Sequence, residues 1–339
     1  MKQQQRLLHH MIDIGFVLVF MTGCSVPVKP APSPIPPTET NIPPTSAPIL
    51  ATETLPSPTI ASHSELLWMT DGQSNTFSRS TELALDSQGN VYIIDGGYHR
   101  VQKFDKDGNF LLMWGSPGAG DGQFIFRNPP AHYGNITADK AGYVYVTDHN
   151  NRVQKFDSNG TFLMKFGRTG YGDGEFAALY GVAVDDQGNI YTTDLDRYDI
   201  QKFDGGGNFL LKWEVPSCRP GGTSMPHNLV VNGQGQLYVT NASGNCIQKF
   251  DGQGNLLKQW GELGAADGQF HKPIGISLDT QGNVYVADNR NGRIQKFDAN
   301  GNFLAQWGPF SFPDGVAVDD EGNVYVVEVV PAQLSKFRP

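Results

Sequence analysis

Beyond residue 64 the apolar and polar positions of the chain recur in a fixed order. A β-branched and aromatic run returns as Val91-Tyr92, Val144-Tyr145, Ile190-Tyr191, Leu237-Tyr238, Val284-Tyr285 and Val324-Tyr325. Each is followed by a mixed run: Gln102-Lys103-Phe104, Gln154-Lys155-Phe156, Gln201-Lys202-Phe203, Gln248-Lys249-Phe250, Gln295-Lys296-Phe297 and Ser335-Lys336-Phe337. These six copies lie mostly about 40 to 50 residues apart. The clearest copy reads as four short strands: Gly275 to Asp279, Val284 to Ala287, Arg293 to Phe297, and a run ending at Trp307. Gly282-Asn283 and Asp298 to Gly301 supply the turns, since Gly and Asn reach positive φ at little cost, while β-branched and aromatic residues favour strands. The Val-Tyr-Val run lacks clean in-out alternation, as expected of a strand covered on both faces.

Four antiparallel strands per copy predict an all-β fold, a six-bladed β-propeller of four-stranded blades. The last copy stops after its third strand, at Phe337-Arg338-Pro339, and the first is preceded by Leu66-Leu67-Trp68, which fits the missing fourth. Trp68 then falls in line with Trp114, Trp213, Trp260 and Trp307, with Phe166 in the sixth place, so that all five Trp share one repeat position. Their expected role is packing between blades. An N-terminal strand completing the last blade closes the ring and leaves no gap between first and last blades.

Upstream of residue 64 the pattern is different. Lys2 and Arg6 precede a short apolar run, Ile14 to Phe20, and then Met21-Thr22-Gly23-Cys24. This order resembles a bacterial lipoprotein signal peptide, which implies removal of residues 1–23 and a lipid on Cys24. The run is shorter than the about 20 residues that span a bilayer. Residues 24–63 are rich in Pro, Thr and Ser and read as a disordered spacer, because they carry too little apolar surface to offset ordering entropy. The propeller is expected over 64–339. A net charge of -9 argues against nucleic acid, whose binding rests on phosphate neutralisation by clustered Lys and Arg.

The recurring run F-x-x-P-x-G-[IV]-x-[VL]-D-x-x-G-N-[VI]-Y-V-x-D, followed by N-x-R-[IV]-Q-K-F-D-x-x-G-x-F-L-x-x-W-G, resembles the NHL repeat. The resemblance also implies a six-bladed propeller. Members of that family serve as protein-binding, RNA-binding and extracytoplasmic sensor modules, and a related amidating lyase is an enzyme.

Chemistry is sought where the copies differ, on the face formed by the inter-blade connections and the loops after the Val-Tyr-Val strands. The residues expected to ring the channel mouth are Thr81, Gly134, Tyr180, His227, Ile274 and Asp314, with Glu82 beside them; Thr81, Glu82, Tyr180, His227 and Asp314 are the binding candidates. Met225-Pro226-His227 resembles the Pro-His steps that supply metal ligands in the amidating lyase, which makes His227 a single weak metal candidate against the about three protein ligands of a catalytic zinc. Asp95, Asp148 and Asp288 precede Arg100, Arg152 and Arg293 by four or five places, a spacing that suits exposed loop braces. The equivalent pairs Asp194 with Asp199, Asn241 with Cys246, and Glu328 with Gln333 lack the basic partner, which marks blades three, four and six as the diverged ones. Cys218 and Cys246 map to neighbouring blades on this face and are expected to form a disulfide in an oxidising compartment. Asp105 to Asn109 reads as a hairpin turn, not a calcium loop.

Together these features predict a lipid-anchored, monomeric propeller in the cell envelope, facing outside the cytoplasm, that binds a protein, peptide or glycan through its variable face. No catalytic residues and no cofactor are expected. The alternative is an enzyme resembling peptidyl-hydroxyglycine amidating lyase or a lactonase, with zinc or calcium at the channel mouth.

Overall fold

The computed structural model describes residues 65–70, 77–126 and 134–338. Cys24, the signal segment and the spacer lie outside these residues. Among the described residues 24 strands form six four-stranded antiparallel sheets. Blade one is β2 (Ser80–Leu85), β3 (Val91–Asp95), β4 (Arg100–Phe104) and β5 (Phe110–Trp114). Blade two is β6 (Ile136–Ala138), β7 (Val144–Asp148), β8 (Arg152–Phe156) and β9 (Phe162–Phe166). Blade three is β10 (Leu179–Val184), β11 (Ile190–Asp194), β12 (Asp199–Phe203) and β13 (Phe209–Glu214). Blade four is β14 (Pro226–Val231), β15 (Leu237–Asn241), β16 (Cys246–Phe250) and β17 (Leu256–Trp260). Blade five is β18 (Pro273–Leu278), β19 (Val284–Asp288), β20 (Arg293–Phe297) and β21 (Phe303–Trp307). Blade six combines β22 (Pro313–Val318), β23 (Val324–Val329) and β24 (Ala332–Arg338) with β1 (Glu65–Thr70) on its outer edge. The pairing of Trp68 with Lys336 and of Thr70 with Leu334 closes the ring through the N-terminal strand. No helix among the described residues is long and apolar enough to cross a membrane.

The repeat has a physical job at each position. Second-strand residues Tyr92, Tyr145, Tyr191, Tyr238, Tyr285 and Tyr325 are fully buried between blades. In five of the six blades the phenol donates to the Asp of the first hairpin turn, as Tyr92 does to Asp86 at 2.9 Å. The Lys of each third strand lies over the same ring, at 4.8 to 5.2 Å from its centroid. Fourth-strand aromatics reach into the next blade, where a glycine of the outer hairpin receives them. A Cβ on Gly160 would stand 2.6 Å from the Trp114 ring, and one on Gly108 2.9 Å from Trp68. Because β1 supplies Trp68, this contact also spans the seam between blades six and one. Blade-to-blade packing of these aromatics supplies the interior, since no single blade can bury both of its faces alone.

Innermost strands face the channel and carry bulges. Two residues, Thr81 and Glu82, oppose the one residue between Ile93 and Asp95, and the same extra residue occurs in blades three to six. A bulge re-aims side chains by breaking strand alternation. Second-strand hydroxyls then lace neighbouring bulges together. Thr193 Oγ1 donates to the His227 carbonyl at 2.7 Å and Thr240 Oγ1 to that of Ile274 at 2.8 Å.

Candidate functional site

Innermost-strand side chains from five blades, four of them bulged, turn towards the ring axis. Glu82 of blade one accepts from the Tyr180 hydroxyl of blade three at 3.2 Å and from Asn228 Nδ2 of blade four at 3.1 Å. The Tyr180 ring packs against that of His227, with centroids 3.9 Å apart. Asp314 of blade six acts on Glu82 through its charge and accepts from Asn289 Nδ2 at 3.3 Å. Asn135 of blade two lies near enough to favour the Glu82 carboxylate, yet its Nδ2 makes no hydrogen bond; its Oδ1 accepts from the Val182 amide at 3.2 Å. Burial pushes the Glu82 carboxyl well above its ordinary range, the Asp314 charge adds to this, and the polar contacts oppose it. Burial also pushes Asp314 up to about 7, against the pull of Lys272. The Tyr180 phenol is raised by its own burial and by both carboxyl charges, so it stays a neutral hydrogen-bond donor.

The expected ring therefore lies inside the channel. Thr81, Glu82, Tyr180, His227 and Ile274 are buried. Asp314 keeps some accessible surface although protein surrounds its carboxyl, which places it towards the lumen. His227 is taken up by Tyr180, and among the described residues no three His, Cys, Asp or Glu side chains meet as a metal-binding group. His132 falls outside the described residues.

Asn135 and Asn228 were not singled out from the sequence, although a signal was present. Both occupy, with Glu82, the repeat position that is Gly181, Gly275 and Gly315 in the other blades. Glycine there follows from close approach: a Cβ on Gly275 would meet the Asp314 carbonyl oxygen at 2.4 Å, and one on Gly315 would meet Leu83 at 2.7 Å. Three polar side chains at a position otherwise reserved for glycine mark the axis as more than packing.

The loop braces differ from expectation in two ways. They are buried: Asp95, Asp148 and Asp288 have no side-chain exposure, and Arg100, Arg152 and Arg293 pair with them at 2.7, 3.1 and 2.8 Å. Each is therefore an interior tie, and for Asp148 burial outweighs Arg152, leaving its carboxyl raised. The guanidinium also clamps the preceding inter-blade loop, as Arg152 does by donating to the Ala119 carbonyl at 2.7 Å and the Gln123 carbonyl at 2.8 Å. The second difference concerns blade three, which keeps its brace. Arg197, two places earlier than the repeat position, pairs with Asp199 at 2.8 Å and donates to the carbonyls of Gly172 and Glu175. In blade four the arginine position is Cys246, and a disulfide to Cys218 of the preceding inter-blade loop makes the same tie covalently, with Cα atoms 6.3 Å apart. Blade six substitutes a Gln333–Glu328 hydrogen bond, while Glu328 also accepts from the Ser311 amide.

Outside the channel the two faces differ. The face of inter-blade and second-to-third-strand loops exposes Tyr98, Tyr171, Tyr198, Leu263, Phe312 and Val330. Among the exposed large apolar residues described, Tyr143 is the one on the opposite face, which is built of Asp-Asn-Gly hairpin turns. Further exposed residues, Leu111, Leu163, Leu210 and Leu304 among them, belong to outer strands.

Comparison with known proteins agrees with this architecture. The chain is similar to protein brain tumor of Drosophila melanogaster, 29% identical over 120 residues, covering 35% of this chain and 11% of that protein. It is also similar to NHL repeat-containing protein 3 of Homo sapiens, 33% identical over 89 residues, covering 24% of this chain and 23% of that protein. The chain thus spans less than a quarter of the length of either relative. Among solved structures, a streptogramin B lyase superposes with a TM-score of 0.57 at 15% identity, covering 80% of this chain and 97% of that one. Virginiamycin B lyase from Staphylococcus aureus gives 0.57 at 15% identity, covering 82% and 100%. Identity at this level speaks for the fold alone. The NHL repeat family matches residues 270–297, which hold the first three strands of blade five, so an NHL repeat sits within a six-bladed β-propeller.

Proposed function

We propose that this chain is a lipid-anchored, extracytoplasmic binding propeller whose inter-blade face engages a protein, peptide or glycan. The observation that carries this reading is the asymmetry of exposure. Among the described residues, three tyrosines and three aliphatic or aromatic residues stand exposed on the loop face, against one tyrosine on the hairpin face. Tyrosine joins an apolar ring to a polar tip at low entropic cost, and is enriched in recognition surfaces. The loops that carry these residues are held by buried braces and a disulfide, which supports a preformed surface. The disulfide and the lipoprotein-like N-terminus both support export.

The test is capture from the native envelope with the full chain. Replacing Tyr98, Tyr171 and Tyr198 together by Ser should lower recovery of the bound species at least about tenfold, while Tyr143→Ser leaves it unchanged. Equal effects of the two variants would contradict the assignment of the face. Separately, Cys24→Ser should move the chain from the membrane to the soluble fraction, and retention in the membrane would remove the anchor from the proposal.

A further inference from the structure

Blade six lacks a part that its neighbours have. In the loops that enter blades two, three and five, Gly115 and Phe124, Gly167 and Phe176, and Gly261 and Phe270 stand nine residues apart; the loop that enters blade six is Gly308-Pro309-Phe310, seven residues shorter. Its phenylalanine still reaches the usual seat, since Phe310 packs on Phe337 at 5.4 Å as Phe270 does on Phe297 at 5.5 Å. The turn before it is gone, and so are the side chains that would hold such a turn. In blade two Gln154 donates to the Gln123 carbonyl at 2.8 Å and accepts from the Gly122 amide at 3.0 Å, and Gln201 and Gln295 grip their loops alike. The fourth-strand lysines opposite Gln154 and Gln201 pair with loop aspartates, Lys165 with Asp121 and Lys212 with Asp173. Blade six has Ser335 in place of the glutamine and Met69 in place of the lysine.

Where the turn is missing, an open groove of about 240 Å³ remains between β1, β24 and the shortened loop. Leu66, Met69, Pro309 and Phe337 give it an apolar lining, and Leu66 and Met69 are about half exposed. Glu328 and Gln333 supply polar lining. The acids that end the second strands of blades one, two and five, Asp95, Asp148 and Asp288, each meet an arginine. Glu328 holds that position in blade six and is 5% exposed, and among the described residues it has no Lys or Arg within ion-pair distance. Its two oxygens accept from the Ser311 amide and from Gln333 Nε2, and each keeps a further lone pair. A buried carboxylate without its cation is costly, and this one borders a groove open to solvent.

We propose that the blade-six groove is a docking site for an extended segment of a partner protein that carries an arginine beside an apolar residue. The guanidinium meets Glu328, and the apolar side chain lies on Met69 and Leu66. The partner thereby supplies from outside the loop and the arginine that blade six lacks. Arginine suits the place better than lysine, because its planar fork meets a carboxylate through two N–H groups. The net charge of -9 favours the approach of a basic segment. The site is separate from the surface around Tyr98, Tyr171 and Tyr198 and does not rest on it.

The full chain is probed with an array of end-blocked hexapeptides of randomised sequence. Binders should share an arginine next to an apolar residue, and the same peptides with Glu in place of that arginine should not bind. For the strongest binder, followed in solution by fluorescence anisotropy, Met69→Lys and Glu328→Gln should each raise Kd at least about tenfold. Met69→Lys puts back the lysine of blades two and three at an exposed position, so it reads the site even if Glu328→Gln fails to fold; circular dichroism checks both. Replacing Tyr98, Tyr171 and Tyr198 together by Ser should leave the affinity for this peptide unchanged, which separates this site from the tyrosine face. An array that shows no preference for arginine would overturn the proposal. So would a folded Met69→Lys variant that binds as the wild type does.

Discussion

Asn228 in the fourth blade donates to Glu82 in the first at 3.1 Å, so blades three places apart in a ring of six meet at its axis. Polar side chains therefore meet across the axis at this level. Tyr180 supplies the second donor to Glu82, from blade three. Tyr180→Phe keeps the ring against His227 and removes only this hydroxyl. It should cost about 1 kcal/mol in urea unfolding, the net value of one hydrogen bond to a buried acceptor. A loss near zero would mean that the hydroxyl contact does not hold the axis.

Gly160 and Gly142 share a left-handed backbone, with φ of +78° and +84°, but not their surroundings. A Cβ on Gly160 would strike Trp114, whereas Gly142 faces open space. Gly142→Ala should cost about 1 kcal/mol from backbone strain alone. Gly160→Ala should cost about 1 to 3 kcal/mol more, because Trp114 must leave its place between blades. Equal losses in chemical denaturation would show that Trp114 does not use this glycine as a seat.

Arg168 lies in the stretch that leads into blade three and Arg197 in the loop between β11 and β12 of that blade, and only Arg197 is buried. Arg197 ties Asp199 to two loop carbonyls, while Arg168 meets Glu175 largely in solvent. Arg197→Ala leaves a buried carboxyl without its partner and should cost about 3 kcal/mol; Arg168→Ala should cost less than about 1 kcal/mol. In blade four, reduction of the Cys218–Cys246 bond should cost about 2 to 4 kcal/mol, a loss comparable to removing an arginine brace. Thermal melts of the variants and of the reduced chain measure both.

Much of the architecture was legible because repetition multiplies weak signals. A single Val-Tyr pair says little, but six in register with six Lys-Phe pairs fix blade number, strand order and the completion of blade six by Leu66 to Trp68. The channel was less legible. Tyr180 and Asp314 can be placed near the axis by counting along the repeat. The bulge that turns the next residue inward, and so recruits Asn228, depends on pairing register and has no local signature. The brace of blade three was hidden for a similar reason: Arg197 reaches the position of Arg152 and Arg293 from two residues earlier, and a long side chain is not bound to its place in a sequence pattern.

Acid sensitivity should come from the outer hairpin turns. Asn208 and Asn255 donate side-chain and backbone N–H groups to Asp204 and Asp251, which lowers both carboxyls; the Thr161 backbone does the same for Asp157. A carboxyl lowered in the folded chain binds fewer protons there than in the unfolded chain. Its contribution is present above the unfolded value of about 3.9 and is lost as pH falls through the folded value. The urea midpoint should therefore drop between about pH 5 and pH 3. Asn255→Ala, which removes the side-chain donor, should make that drop shallower. An unchanged slope would locate the acid sensitivity elsewhere.

The proposed role stands or falls on which face meets the partner. Hydrogen–deuterium exchange of the full chain, with and without the species captured from the envelope, reads this directly. Protection confined to the loops around Tyr98, Tyr171, Tyr198, Leu263 and Phe312 is the predicted result. Protection confined to the hairpin turns around Asp105, Asp157 and Asp204, or to the outer strands, would contradict it.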